Sequence, residues 1–241
     1  MVGMTNTRSI PGRRVEGAGA VLGPLLLVAA VLTRIGADDF FPGQLAAYAA
    51  DPGRMAVSYG LFAAGVVLLW PAVTALARIV ALTHPGWARW GVTLVVLGLF
   101  GRVFHAGVSH LAFQMVDALG PAAAQRAVAD TYAAFHVFKG AGVCIMAGWI
   151  VLAAGAFRAK AFGAGPLGVA RCLALALGSA LPLGVLKGSS DPISLLALAG
   201  LAAALVPLGV GLLRNGPAPR WWAVTLVVAL VPGAYVVGLL G

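Results

Sequence analysis

Seven apolar runs, each long enough to cross a bilayer as a helix, occupy most of this chain. They fall at roughly 17–35, 56–77, 90–114, 133–157, 167–186, 193–213 and 221–240. A spanning helix needs about 20 predominantly apolar residues, each adding about 1.5 Å. Hydrocarbon offers no partner for a bare N–H or C=O, so only helices and closed barrels cross it. The runs are continuous rather than alternating with period two, which favours helices. The expectation is an all-α polytopic bundle of seven transmembrane spans. Composition agrees: the chain is 61% hydrophobic and 10% charged, where a soluble domain carries about 25% charged residues.

The segments between the runs alternate in charge. Arg8, Arg13, Arg14, Arg78, Arg89, Arg158, Lys160, Arg171, Arg214 and Arg220 fall on one side with a single acid, Glu16. The other side holds Asp38, Asp39, Asp51, Asp117, Asp130 and Asp191 against Arg34, Arg54, Arg126 and Lys187. Lysine and arginine accumulate on the cytoplasmic face, so the N-terminus is expected inside and the C-terminus outside. The net charge of +9 is dispersed in twos and threes between apolar runs. That argues against a nucleic-acid interface, which needs a clustered basic patch.

Residues 1–16 read as a flexible cytoplasmic arm and 17–241 as one membrane domain. The first run follows Arg13 and Arg14 and is short, so a cleaved signal peptide is the competing reading. It is set aside because no small-x-small cleavage site precedes Asp38. Cys144 and Cys172 lie in separate runs and suggest neither a disulfide framework nor a thiolate metal site. Pro71, Pro182, Pro207 and Pro232 each remove a helix hydrogen bond. Gly184 and Gly188, with Gly60, Ala64, Gly140 and Gly148, are candidates for close helix packing.

The polar exception is the third run, FGRVFHAGVSHLAFQMVDALG. Ionisable groups at membrane depth are costly and normally face the bundle interior or a wet cavity. With Arg102 as the zero of a helical wheel, His105 lies near about −60°, His110 near about +80° and Gln114 near about +120°. In the next run Tyr132, His136 and Lys139 follow i, i+4, i+7 spacing. Measured from Asp117 and Asp130, His110 and His136 lie about 10 Å deep, Lys139 and His105 about 14–18 Å, and Arg102 about 22 Å. Consecutive spans joined by a short connection pack as a hairpin. The seven residues are therefore expected to form a cationic, ligand-binding pocket between spans 3 and 4, roofed by the 115–131 loop. No acid lies at the depth of Arg102 and Lys139, so an anion is the complementary ligand. A lipid head group or small anionic amphiphile would supply it.

Two further chemistries fit some of these residues. His136 with His105 or His110 would clamp a haem iron, giving a haem-b-type electron carrier with nearby cations on the propionates. A membrane-embedded enzyme acting on a lipid or isoprenoid is the other reading. Proton-driven terpene cyclisation, however, needs a well-placed acid, and every Asp lies at or beyond the outer boundary. Asp38-Asp39 stands without a second aspartate-rich motif for pyrophosphate. Ser109 and His110 are sequence neighbours, whereas an intramembrane serine protease needs its dyad on facing helices. The last run has no lysine for a retinal Schiff base, and no recognised spacing selects zinc ligands.

Pro42–Ile79, PGQLAAYAADPGRMAVSYGLFAAGVVLLWPAVTALARI, followed by ARWGVTLVVLGLFGRVFHA at Ala88–Ala106, carries a family likeness. The chain resembles uncharacterised Ala/Gly/Leu-rich multi-pass membrane proteins of high-GC Gram-positive bacteria, a domain-of-unknown-function class. The resemblance covers about half of the chain and implies architecture and a bacterial cytoplasmic membrane, with no functional residue to transfer.

Overall fold

The computed structural model describes residues 12–37, 41–132, 137–180, 192–216 and the pairs 221–222, 225–226 and 229–230. All regular structure among them is helical: α1 (Arg13–Thr33), α2 (Gly43–Ala50), α3 (Pro52–Ala81), α4 (Pro85–Leu119), α5 (Pro121–Tyr132), α6 (Ala141–Arg158), α7 (Pro166–Ala176) and α8 (Pro192–Arg214). Short 3-10 turns, Val137–Gly140 and Leu177–Ala180, precede α6 and follow α7. Among the described residues, five helices are long and apolar enough to cross a membrane: α1, α3, α4, the segment Phe138–Arg158 and α8.

Of the eight described α-helices, five begin at a proline: Pro52, Pro85, Pro121, Pro166 and Pro192. The first helical position wastes no hydrogen bond on proline's missing N–H, and its fixed φ suits the helix. Ahead of α3, the Asp51 carboxylate accepts from the Arg54 backbone N–H at 3.0 Å. The Arg54 guanidinium then donates to the carbonyl of Thr33 at 2.6 Å and to that of Ile35, covering bare carbonyls at the end of α1. At the end of α6, Lys160 takes a φ of 52°. Its N–H bonds the Phe157 carbonyl and the Ala161 N–H bonds that of Ala156, the paired closure of a Schellman turn.

Six helices close into a ring in the order α1, α3, α4, α6, α7, α8, with α8 returning to α1. They share one apolar core in which Trp149, Leu76, Leu152, Leu201 and Leu205 are fully buried. The α4–α6 wall is the tightest. A Cβ at Gly91 would stand 3.0 Å from the Leu152 Cα, and one at Gly148 only 2.5 Å from the Val95 backbone nitrogen. A Cβ at Gly98 would collide with Ile145, 2.7 Å from its Cα. Glycine there lets two backbones approach where any side chain would hold them apart. Of the other small residues expected in tight seams, Gly60 and Gly140 have open space where a Cβ would stand, and Gly184 and Gly188 lie outside the described residues.

Two ends of the ring are tied differently. Glu16 in the first turn of α1 is fully buried and forms an ion pair with Arg78 in the last turns of α3. This contact draws Arg13–Glu16 into α1, ahead of the expected boundary at 17. At the other end, α2 and α5 pack on α3 and α4 around a second small core of Leu45, Tyr48, Met55, Phe113 and Val128. Tyr48 stacks on Phe113 with ring centroids 4.3 Å apart, and its hydroxyl donates to the Asp117 carboxylate at 2.7 Å.

That hydrogen bond, followed by burial and the nearby negative charge, raises the phenol pKa above its ordinary 10.0. A raised folded value stabilises the fold fully below pH 10 and is lost as the pH climbs through the raised value. Tyr48→Phe should therefore loosen the α2–α5 cap by about 1 kcal/mol at neutral pH. It should also remove the alkaline dependence of cap stability. Hydrogen exchange of the α2 and α5 amides between neutral pH and pH 11 measures both effects.

Two expectations need correction, and two runs lie partly outside the described residues. The 115–131 connection is not a loop: α4 runs to Leu119 and α5 covers Pro121–Tyr132. The break between them is Gly120, whose φ of 80° a side chain would disfavour. Tyr132 and Lys139 do not share one helical stripe, because Tyr132 ends α5 and Lys139 sits in the 3-10 turn before α6. The run 167–186 is helical over Pro166–Ala180 in the described residues, shorter than a span, and its remainder lies outside them. Most of 221–240 also lies outside the described residues.

A candidate cationic cavity beside α4

The cavity follows from unequal helix lengths. α4 continues to Leu119, while its antiparallel partner α6 starts only at Ala141, opposite Gly101. Beyond the Phe104–Phe138 ring stack, with centroids 4.5 Å apart, that flank of α4 has no α6 beside it. α5 folds back over the space, presenting Val128 and Thr131, and Phe41 closes beside it. The cavity volume is about 560 Å³, within the roughly 300–1,000 Å³ usual for a small-molecule site.

Arg102, His105 and Lys139 all line this cavity, and no carboxylate does among the described residues. Arg102 lies midway between the ends of α4, at its floor. On its other side a small apolar void of about 20 Å³ is walled by Leu27, Phe62, Val66, Leu69, Leu99 and Ile145. Among the described residues the Arg102 guanidinium has no hydrogen bond or ion pair. The described acids are engaged or remote: Glu16 binds Arg78, Asp51 caps α3, Asp117 binds Tyr48 and Asp130 is exposed on α5. A guanidinium between an apolar core and a mostly apolar cavity is placed where it can pair with an anion.

His105 is oriented by its own helix. Its Nδ1 lies 2.5 Å from the Gly101 carbonyl oxygen. A carbonyl only accepts, so Nδ1 carries the proton and the lone pair of the neutral ring sits on Nε2. Lys139 reaches the cavity from the 3-10 turn, so three basic side chains come from two elements.

The other expected members separate from this group. His110 and Gln114 lie on an exposed face of α4 and meet each other, Nε2 to Nε2 at 3.2 Å, without lining the cavity. On the helical wheel they stand about 80° and about 120° around the helix from Arg102. His136 lies outside the described residues, as does the side chain of Tyr132. The haem reading therefore has one candidate ligand, His105, in the described cavity wall. The described residues contain no group of three or more His, Cys, Asp or Glu able to hold a metal ion.

Sequence reasoning missed the apolar half of the site. Phe104, Val108, Leu111 and Met115 line the cavity alongside the cations. Their i, i+4, i+7, i+11 spacing is a helical stripe that was present in the sequence. Comparisons with protein-family models, curated proteins and solved structures found no match to this chain.

Proposed function

We propose that the chain is a seven-span protein of a bacterial cytoplasmic membrane, N-terminus inside, that binds or passes a small anionic or amphiphilic ligand. The observation that carries this reading is Arg102: an arginine at the midpoint of a membrane-length helix, lining a cavity with His105 and Lys139 and lacking any described counter-charge. Charged residues at such depth normally mark a ligand or ion path. The guanidinium offers a planar fork of donors to a carboxylate or phosphate, and its charge persists at every physiological pH. Lys139 adds a second, point-like positive charge, and His105 adds a further donor from its ring when protonated. The seven-span topology rests on the charge alternation between runs and on the five membrane-length helices.

The test is mass spectrometry of lipids and small molecules retained by protein purified in mild detergent, with an absorption spectrum of the same sample. Wild type should retain an anionic species that Arg102→Leu loses, with unchanged insertion and helicity. Equal retention by both proteins removes Arg102 from the site. A strong Soret band would favour the haem reading instead.

A further inference from the structure

We infer that the ligand is a long-chain anionic amphiphile, a carboxylate or phosphate head on an aliphatic tail, that reaches Arg102 sideways from the bilayer. This deepens the anion-binding reading and rests on it. The covering of the cavity gives the direction. Toward the Leu119 end of α4, where water would be met, α5 and Phe41 lie across the space. Toward the flank, Phe104, Val108, Leu111 and Val143 line the cavity and also face outward, 38%, 41%, 57% and 69% exposed. They stand on α4 and α6, whose outer surfaces are apolar enough to meet lipid.

An opening with that rim suits a chain already dissolved in hydrocarbon: the bilayer has taken up each CH₂ with a gain of about 0.8 kcal/mol over water, and the tail stays in an apolar medium as it crosses the rim. A bare anion would have to leave water and cross the same aliphatic rim without that return. The floor fixes the head. Below Gly101 the α4–α6 seam is closed by backbone contact at Gly98 and Gly148, so Arg102 is the deepest cation a head group can reach. The head passes Val143, which the Gly98–Ile145 and Gly101–Ala141 contacts set level with the turn before Arg102, and the tail lies along the Phe104, Val108, Leu111 stripe.

The experiment uses the full chain in phosphatidylcholine vesicles and stearate carrying a nitroxide near the chain terminus. Electron paramagnetic resonance should show an immobilised fraction quenched by oxygen and not by an aqueous nickel complex. Arg102→Leu should weaken that binding by roughly tenfold or more, the worth of one charge-assisted hydrogen bond. Val143→Trp should block the opening and weaken it similarly, whereas Leu173→Trp, at a 66% exposed site on α7 away from the cavity, should not. Nickel quenching of the bound label, or full binding by Val143→Trp, overturns the sideways route. Radiolabelled inorganic phosphate provides the second arm. Arg102-dependent phosphate binding without stearate binding overturns the amphiphile and leaves the anion site standing. Failure of both probes overturns both readings.

Discussion

Gly98→Ala should destabilise the bundle by about 3 kcal/mol, at the upper end of overpacking costs. The added methyl would collide with Ile145 and lie 2.7 Å from its backbone nitrogen and Cα. A flexible side chain could swing away from such a contact, but backbone cannot. The two helices would have to separate along a seam that Gly91, Gly98 and Gly148 hold close at successive turns. Gly60→Ala is the matched control, since nothing lies within 4 Å of its Cβ. There alanine should stabilise α3 slightly, by up to about 1 kcal/mol from helix propensity alone. Unfolding in mixed micelles, followed by the fluorescence of the chain's tryptophans, measures both. Because Arg102 lies one turn beyond Gly98, the same substitution should also weaken ligand binding.

Arg78→Leu should cost about 3 kcal/mol, the low end of the range for removing one partner of a buried ion pair, because Glu16 is buried while the Arg78 side chain is 41% exposed. Glu16 is fully buried, and its Oε1 has no hydrogen-bond partner, so loss of Arg78 would strand a carboxylate inside the α1–α3 contact. Glu16→Gln combined with Arg78→Leu should recover part of the loss, since the stranded charge then disappears. A double-mutant cycle read by the same unfolding assay isolates the coupling between the two. Additive losses would show that the pair contributes nothing beyond its separate side chains.

The sequence shows α1, α3, α4, α6 and α8 because long apolar runs have few alternatives in hydrocarbon. It also brings Arg102, His105 and Lys139 toward one place, through the depth at which each sits on neighbouring helices. Direction around the helix was less legible. His110 and Gln114 lie on the same helix as Arg102, and only packing determines that they face elsewhere. The 115–131 segment read as a loop because its residues are too polar for a span, although Gly120-Pro121 is a helix-stop, helix-start signal. Close packing was misjudged for a related reason. Gly19 and Gly23, four apart on α1, face the α3 backbone, with a Cβ at Gly19 only 2.6 Å from the Leu68 carbonyl oxygen. Gly60 has the same chemistry and no neighbour. Glycine spacing reports what a helix permits, and the partner decides whether the permission is used. Glu16 is the lone acid among basic flanks in the sequence, and nothing in its neighbours announces a buried pair.

The overhang of α4 past α6 gives the chamber an origin independent of its wall chemistry. Its height follows from how many turns one helix outlasts the other, so whole-turn insertions or deletions near Gly120 would lengthen or shorten it. Single substitutions would redecorate the lining and leave the dimensions nearly fixed. Proteins built on this plan could therefore accommodate ligands of different length by adjusting a register, while the glycine seam beneath stayed unchanged.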